Sequence, residues 1–356
     1  MRIDDLDTPC LVIDEALALA NIAAMARACA DAGVALRPHA KTHKSLLFSQ
    51  AQLDAGAVGL TCAKVSEAER VAPAGSSVFV AYQVLGEGKR RRLAALRERN
   101  DVITGVDSAH AIAEAALVGT RANPLPVRIE VDTGTHRTGV SPAEVPSLAV
   151  QIGRCPTLRL DGLYSFEGHV YNSSSAAERE RIARDAVALL VEASRAITSD
   201  WEALARSVGA TPAVPYYLRA AGATELRPGA YVFMDANQVS LGAYWEQCAA
   251  TVLATVVSTP TESRAVVDAG TKTLAADGVP RGKVARVLGH NLWVTRASEE
   301  HGIIECEGDH GLSVGQRVRL VPWHVCPVVN LADRFALLAP DGGVRWCPVD
   351  GRGCSV

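Results

Sequence analysis

The chain has 356 residues and a formal net charge of −3. That length exceeds one ordinary hydrophobic core and suits two domains. Apolar residues make up 48% and charged residues 21%, a composition typical of a soluble globular protein. With this slightly acidic balance and no basic stripe, the sequence argues against a nucleic-acid partner.

The cysteines and the N-terminal segment bear on the cellular compartment. Nine cysteines are scattered without a CxxC pair, which favours reduced thiols over a disulfide framework. Residues 1–5 (MRIDD) lack the basic-then-apolar layout of a signal peptide. The Ala-rich run over residues 16–32 carries Asn21, Arg27 and Asp31, so it predicts a helix and not a membrane span. We therefore expect a cytoplasmic protein with no membrane partner.

Residues 34–230 alternate short apolar runs with amphipathic, charge-bearing segments. The predicted strands cover residues 34–41, 57–61, 77–82, 102–106, 127–131, 161–166, 205–208 and 223–227. Helical patterns between them include residues 65–71, 89–99, 109–118 and 176–197. Eight strands separated by helices predict a (β/α)8 TIM-like barrel, which is an α/β fold.

The pattern changes after Gly242. Residues 249–258, 264–268, 292–295, 302–307 and 316–321 read as strands with Gly and Pro turns between them. No long helical period appears in this part, so it predicts a C-terminal all-β domain. We place the barrel at residues 1–241 and the β domain at residues 242–356. Residues 1–15 are a candidate strand for the β domain instead.

The most informative stretch is RPHAKTHK at residues 37–44. If Lys41 ends the first strand, it lies at the C-terminal mouth of the barrel, where barrel enzymes keep their active sites. Strand alternation then places His39, Lys41 and His43 on one face. Neighbouring positive charge would lower the pKa of Lys41, as an amine nucleophile requires. The residues alone fit a solvated basic loop equally well.

Three motifs together favour the first interpretation. DTP at residues 7–9, RPHAKTHK, and TCAKVSEAE at residues 61–69 resemble the D-serine dehydratase / D-threonine aldolase family. These are fold-type III enzymes that depend on pyridoxal 5'-phosphate (PLP) and are related to alanine racemase. The resemblance runs in order from Asp7 to Leu331. It implies an alanine-racemase-like fold, PLP as cofactor, and Lys41 instead of Lys44 as the lysine that carries it.

Two further motifs follow predicted strands and are similar to family signatures. In EVDTGTHRTG at residues 130–139, the resemblance implies that Arg137 contacts the phenolic oxygen of PLP. In GLYSFEGHVY at residues 162–171, it implies that Tyr164 lies near the pyridine ring and His169 at the catalytic pocket. The alternatives are a surface arginine in a Gly-rich turn and a structural histidine in a loop.

Two Gly-containing turns resemble the phosphate-holding turns of the family. They are GATP at residues 209–212 and RPGAY at residues 227–231. Backbone N–H groups and one hydroxyl suit a phosphate, so Thr211, Gly229 and Ala230 become candidate ligands. Arg227 matches the position where alanine racemase places an arginine against the pyridine nitrogen.

PWHVCP at residues 322–327 is the candidate metal site. On a strand, His324 and Cys326 would face the same side and could share one ion. Thiolate plus imidazole favours zinc, with Mn and Mg as alternatives, and two ligands leave positions for substrate and water. Alone, such a pair is weak evidence and is more often a coincidence than a metal site. The resemblance implies that it holds the metal that engages the substrate β-hydroxyl, and a cysteine is typical of the dehydratase branch, whereas bacterial D-threonine aldolases have aspartate.

These observations predict a PLP- and metal-dependent lyase that acts on β-hydroxy-D-amino acids. The preferred hypothesis is a dehydratase (ammonia-lyase) that gives a keto acid and ammonia. The alternative is a D-threonine-type aldolase that gives glycine and an aldehyde. An amino-acid racemase and a non-catalytic PLP-binding protein rank lower, and the long segment after Gly242 argues against the latter. By the same resemblance we expect a homodimer.

Overall fold

All 356 residues are described by a computed structural model, and they form two compact units. One unit comprises Ala23–Lys41, Ser45–Gly229 and Cys354–Val356 and is named the barrel unit here. The other comprises Met1–Ile22, Thr42–Lys44 and Ala230–Gly353 and is named the β unit. This division differs from the boundary predicted at residue 241, because the N-terminal strand and the segment from Ala230 both belong to the β unit.

The seventeen strands are numbered in chain order. They are β1 (Cys10–Asp14), β2 (Ala35–Leu36), β3 (Leu60–Cys62), β4 (Ser77–Gln83), β5 (Asp101–Val106), β6 (Leu125–Glu130), β7 (Leu158–Tyr164), β8 (Ala205–Val208), β9 (Glu225–Leu226), β10 (Ala250–Thr261), β11 (Arg264–Val267), β12 (Ala285–Val287), β13 (Leu292–Ala297), β14 (Gly302–Glu305), β15 (Arg317–Pro322), β16 (Arg334–Leu338) and β17 (Val344–Pro348).

The eleven α-helices are numbered in the same way. They are α1 (Glu15–Asp31), α2 (Leu46–Asp54), α3 (Val65–Val71), α4 (Glu87–Arg97), α5 (Ala109–Ala116), α6 (Val145–Gly153), α7 (Ala176–Ile197), α8 (Val214–Tyr217), α9 (Ala236–Ser240), α10 (Thr271–Leu274) and α11 (Val325–Leu331). None of them combines the length and the apolar character that a bilayer span needs.

Strands β2 to β9 form one parallel sheet in the order β2-β9-β8-β7-β6-β5-β4-β3. Backbone bonds join its two ends: Thr61 N donates to Pro38 O at 2.8 Å, and Ala40 N donates to Thr61 O at 2.8 Å. Apolar strand residues pack against the surrounding helices in one large core. Because the strands of a parallel sheet are buried on both faces, they occur in the sequence as short apolar runs. The predicted barrel of eight strands is confirmed.

The β unit contains a nine-stranded sheet in the order β11-β14-β13-β12-β15-β10-β1-β16-β17, and β11 also pairs with β10. Strand β1 pairs antiparallel with β10 and parallel with β16. The N-terminal strand thus lies in the nine-stranded sheet, which agrees with the placement of residues 1–15 as a candidate strand of the β domain. The predicted β domain after the barrel is confirmed.

The prediction that His324 and Cys326 lie on a strand is wrong. Strand β15 ends at Pro322, His324 precedes α11, and Cys326 lies in the first turn of that helix. Asp235 explains the change of direction, because its carboxylate accepts a hydrogen bond from Val325 N at 3.0 Å and so satisfies a helix N-terminal donor.

Candidate active site

Lys41 lies in a turn that follows the first barrel strand. The regular strand ends at Leu36, and a single bridge between His39 and Thr61 extends the pairing. Pro38 has no N–H for a ladder, and the chain then curls through residues 40–43. The predicted strand over residues 34–41 is therefore too long, and the one-face alternation predicted for Lys41 and His43 does not apply. Lys41 nonetheless follows the C-terminal end of the strand, on the catalytic side of such barrels.

Two cations flank one aromatic ring at this end of the barrel. Lys41 Nζ is 5.2 Å from the ring centroid of Phe166, and the guanidinium carbon of Arg137 is 4.9 Å from the same centroid. Phe166 follows β7, and Arg137 follows β6 in an exposed turn. Sequence-distant Lys41 and Arg137 are thus brought together, and a small cavity next to them is lined by Glu130, Arg137 and Phe166 among others.

His169 belongs to the same group of loops. Its Nδ1 is 3.1 Å from Thr135 Oγ1, and the Thr135 hydroxyl also donates to the carbonyl of Phe166. Gly134, at φ +120°, approaches so closely that a Cβ there would lie 3.3 Å from the imidazole ring. Thr135 therefore joins the two signature motifs and fixes one nitrogen of the His169 ring.

Tyr164 and Arg227 lie together in the barrel interior. The Tyr164 hydroxyl donates to Glu130 Oε2 at 3.0 Å, and its ring meets Phe79 edge-on with centroids 4.9 Å apart. Burial raises the pKa of Tyr164 well above its ordinary value, and the negative charge of Glu130 adds to the shift. Tyr164 therefore stays a neutral donor at physiological pH.

Arg227 is buried, and its guanidinium carbon is 5.3 Å from the Tyr164 ring centroid. Its Nε donates to Ser207 Oγ at 2.8 Å, and its Nη2 donates to the carbonyls of Ser165 and Ser207. Burial lowers the pKa of Arg227, and the carboxylates of Glu167 and Glu225 oppose that shift. These bonds hold the guanidinium in one orientation, as a residue that faces a cofactor ring requires.

The turn after β8 tests whether a PLP phosphate fits. Thr211 begins a short 3-10 helix, Thr211–Ala213, and its side-chain oxygen is buried without a hydrogen-bond partner in the protein. Buried hydroxyls are almost always satisfied, so a missing partner indicates a group that the protein itself does not supply. A phosphate oxygen is such an acceptor, and the residues therefore fit the cofactor.

The second predicted phosphate turn is divided between the two units. Gly229 is buried and ends the main part of the barrel unit, whereas Ala230 begins a 3-10 helix, Ala230–Val232, in the β unit. Neither residue has a side-chain polar group, so only backbone atoms could bind a phosphate there.

Glu167 is a functional candidate that the sequence did not single out. It is fully buried and accepts hydrogen bonds from Gly209 N at 3.3 Å and Thr133 Oγ1 at 3.2 Å, and from the hydroxyls of Tyr217 and Ser165. It thereby fixes the turn that leads to Thr211. The available signal was an acidic residue three positions after the end of β7, in the FEGH segment.

The candidate metal ligands lie at the beginning of α11 in the β unit. His324 is half-buried, and its Nδ1 is 2.8 Å from Asp277 Oδ2. Cys326 Sγ is 3.2 Å from the hydroxyl of Thr42, the residue that follows Lys41 in the chain. No group of three or more His, Cys, Asp or Glu side chains that could hold an ion occurs in the 356 residues. A metal here would have two protein ligands and further open positions.

The electrostatic surroundings of this pair favour a cation. Burial alone would lower the pKa of His324, but hydrogen bonding and charge from Cys326, the charge of Asp235 and the hydrogen bond to Asp277 raise it to about 9. Burial raises the pKa of Asp235 to about 6. The carboxylates of Asp235 and Asp277 beside the pair would also attract a divalent ion, and nitrogen and sulfur donors are those that zinc prefers.

A larger cleft of about 430 Å3 lies elsewhere in the β unit. Its lining includes Asp7, Cys10, Lys272 and Trp346, and none of the predicted site residues borders it. Its size alone does not mark it as the active site, because its lining lacks an arrangement of catalytic groups.

Comparison with known proteins follows the same division of the chain. The model of the alanine racemase N-terminal domain matches residues 13–238, and that of a putative serine dehydratase domain matches residues 249–338. D-threonine aldolase from Arthrobacter sp is 34% identical over 98% of this chain and 94% of its own length. D-threo-3-hydroxyaspartate dehydratase from Delftia sp. (strain HT23) is 33% identical over 96% of each chain.

Solved structures agree with these similarities. D-threonine aldolase from Filomicrobium marinum has a TM-score of 0.90 at 30% identity and covers 100% of this chain and 98% of its own. A cysteine-to-alanine variant of a D-threo-3-hydroxyaspartate dehydratase in a metal-free form has a TM-score of 0.86 at 31% identity, over 98% of each chain. The chain therefore belongs to the D-serine dehydratase / D-threonine aldolase family of alanine-racemase-like, PLP-dependent lyases.

Proposed function

We propose that this protein is a dehydratase of β-hydroxy-D-amino acids that uses PLP and a divalent metal, with zinc preferred. The observation that carries the proposal is the pairing of Cys326 with His324 at one helix start, in surroundings that favour a cation. Similarity to a D-threo-3-hydroxyaspartate dehydratase over nearly the whole chain supports it. The existence of a metal-free form of that dehydratase supports a metal in this family member.

The residues that would hold the cofactor are those grouped at the barrel end. Lys41 would carry it, and Arg137 would bind its phenolic oxygen. Thr211 would donate its unpaired hydroxyl to the phosphate, with backbone N–H groups near Gly229 and Ala230 as further donors. Arg227 and Tyr164 would face the ring. When bound, PLP supplies an electron sink for Cα, and the metal supplies a Lewis acid for the β-hydroxyl.

The chain's own groups then move the protons. The amine of Lys41 would remove the Cα proton, and His324 and Cys326 would hold the ion that polarises the β-hydroxyl. The imidazolium form of His169, held at Nδ1 by Thr135, would give its Nε2 proton to the departing hydroxyl, which leaves as water. The resulting enamine takes up a proton and is hydrolysed, so the products are a keto acid and ammonia.

A panel of β-hydroxy-D-amino acids and their L-enantiomers tests this proposal. D-serine, D-threonine, D-threo-3-hydroxyaspartate and a D-phenylserine should be incubated with the holoenzyme, and ammonia should be measured. We expect ammonia from at least one D-substrate and none from its L-enantiomer. Ammonia from the L-series alone, or from no member of the panel, would contradict the proposal.

An aldolase is the second candidate, and one observation favours it. The chain is as similar to D-threonine aldolases, in sequence and in structure, as it is to the dehydratase. In that reaction the Cα–Cβ bond breaks, and the products are glycine and an aldehyde. Glycine release equal to substrate loss, with no ammonia, would establish this alternative.

We also propose a cytoplasmic homodimer. No disulfide joins any of the nine cysteines, which suits a reducing compartment. The dimer rests on the family resemblance, in which the β domain of one subunit completes the barrel mouth of the other. Light scattering of an active preparation should give twice the chain mass, and a monomeric mass in that preparation would contradict this part of the proposal.

A further inference from the structure

The carboxylate of Asp277 makes a direct contact with the candidate metal ligand His324. Its Oδ2 lies 2.8 Å from His324 Nδ1, and the two residues are 47 positions apart in the chain. The Asp277 side chain is 71% exposed and the His324 side chain 33% exposed, so the carboxylate approaches the ring from the solvent side. At this distance the exposed carboxylate restrains the half-buried imidazole.

The contact selects which imidazole nitrogen can bind an ion. A carboxylate only accepts hydrogen bonds, so Nδ1 carries the proton and donates it to Asp277. In the neutral ring the lone pair therefore resides on Nε2, and Nε2 is the nitrogen that can bind a metal in place of a proton. Histidine ligands in metal sites commonly donate their other N–H to a carboxylate, which fixes the tautomer and the ring orientation.

A second carboxylate fixes the backbone between the two ligands. Asp235 is fully buried, and its Oδ2 accepts from Val325 N at 3.0 Å, while its Oδ1 accepts from Gln238 N at 2.9 Å. Nearby, Asn237 N donates to Trp323 O at 3.1 Å. Asp235 thus sets the position of the turn, and rotation of the His324 ring is the freedom that remains for Asp277 to restrict.

We propose that Asp277 is a positioning residue of the metal site, which holds His324 with its proton on Nδ1 and presents Nε2 to a divalent cation beside Cys326. The inference rests on the proposed metal-dependent function and adds a residue to it. Asp277 acts through His324 and does not itself bind the ion.

Zinc affinity of the holoenzyme tests the role without relying on turnover. Competition with a chromogenic chelator should show that Asp277→Ala weakens zinc binding by about 10- to 100-fold, with Asp277→Glu partly restoring it. Asp309→Ala is the matched control, because Asp309 is also an exposed loop aspartate of the β unit and bonds only to a local backbone N–H, Gly311 N at 2.8 Å. We expect wild-type zinc affinity in that control.

Cobalt substitution distinguishes a positioning residue from a direct ligand. At saturating cobalt, Asp277→Ala should keep the thiolate-to-cobalt absorption and the ligand-field bands of the wild-type protein, because Nε2 and Cys326 still bind. A changed ligand field would make Asp277 a ligand and overturn its positioning role. Equal zinc affinity in Asp277→Ala and wild type would also overturn it while leaving the metal-dependent function intact. A wild-type holoenzyme that binds no metal would overturn both.

Discussion

The candidate cofactor site at the end of the barrel unit is built differently from the turn of the β unit that carries His324 and Cys326. This turn is named the metal turn here. In the barrel, the residues that surround the candidate site follow the ends of parallel strands, and Tyr164, Glu167 and Arg227 are buried in a hydrogen-bonded network. In the β unit, His324 and Cys326 are half-buried at a helix start, and two aspartates from distant segments hold them. The first arrangement is rigid through packing, and the second depends on a few polar contacts.

This difference predicts how each region responds to mutation. Changes in the barrel network should affect folding and cofactor binding together, because each buried polar group left without a partner costs stability. Changes in the metal turn should affect metal binding and turnover while leaving the fold intact, because the ligands are partly exposed and contribute little core.

The largest effect is expected at Lys41. Lys41→Ala should lower turnover by several orders of magnitude, because in the proposed mechanism one amine both carries the cofactor and moves the Cα proton. Borohydride treatment of the wild-type holoenzyme should leave the cofactor on the peptide fragment that contains Lys41. Lys44→Ala is the control, since Lys44 Nζ donates to Gly351 O at 3.1 Å and has no cofactor role in this account. Label recovered on Lys44 would contradict the assignment.

The metal turn should show the next largest effect. Cys326→Ala should reduce ammonia formation at least about 100-fold, because loss of a metal ligand weakens metal binding more than loss of a residue that positions a ligand. Its melting temperature should stay close to that of the wild type. Cys326→Asp replaces a soft donor with a hard one, so we expect the metal preference to move toward manganese or magnesium and glycine formation to rise relative to ammonia.

The control for this variant is another half-buried free thiol. Cys155→Ala, in the barrel unit, should keep both the metal content and the turnover of the wild type. Metal analysis and the ammonia assay would check the pair. Full activity in Cys326→Ala would mean that His324 and Cys326 are packing residues and that the reaction proceeds without them.

Glu167 tests the barrel side of the comparison. Glu167→Gln places an amide where four donors converge, so we expect a loss of about 1–3 kcal/mol in the free energy of unfolding. PLP affinity should fall as well, because the Gly209 amide that precedes Thr211 loses its anchor. Denaturant unfolding and PLP titration would measure the two effects. Tyr217→Phe removes one of the four donors and should give a smaller change in both.

The smallest effect is expected at Thr211. Its hydroxyl has no partner in the protein, so Thr211→Val should leave the stability of the cofactor-free chain unchanged or slightly raised. PLP affinity should nevertheless fall about 10-fold, the value of one hydrogen bond to a charged group. Thr211→Ser, which keeps the hydroxyl, serves as the control. A valine variant that binds PLP as tightly as the wild type would remove Thr211 from the phosphate site.

The fold was predictable because its signal is periodic. Eight short apolar runs between amphipathic segments led to the barrel, and the predicted bounds of α3 and α7 agree with the structure. Strands β12, β16 and β17 were not predicted, because β12 has three residues and the other two alternate weakly. The helix at Cys326 was also missed, since its N-terminal partner, Asp235, is 90 positions away.

The residues of the candidate site also fall into a group that the sequence could predict and a group that it could not. Lys41, Arg137 and Thr211 lie in motifs that a resemblance can recognise, and each follows a barrel strand. Glu167 and Asp277 have no motif of their own, because their importance comes from partners that only the folded chain brings close. Long-range polar contacts leave no periodic trace in a sequence, so structure was needed to find them.

We propose that ammonia release depends on a metal held by His324 and Cys326. The most direct test measures ammonia and glycine together from one active β-hydroxy-D-amino acid, before and after chelation of the holoenzyme. We predict that ammonia dominates, that chelation abolishes it while the cofactor absorbance and the melting temperature stay nearly unchanged, and that added zinc restores it. Undiminished ammonia release from the metal-stripped holoenzyme would contradict the account.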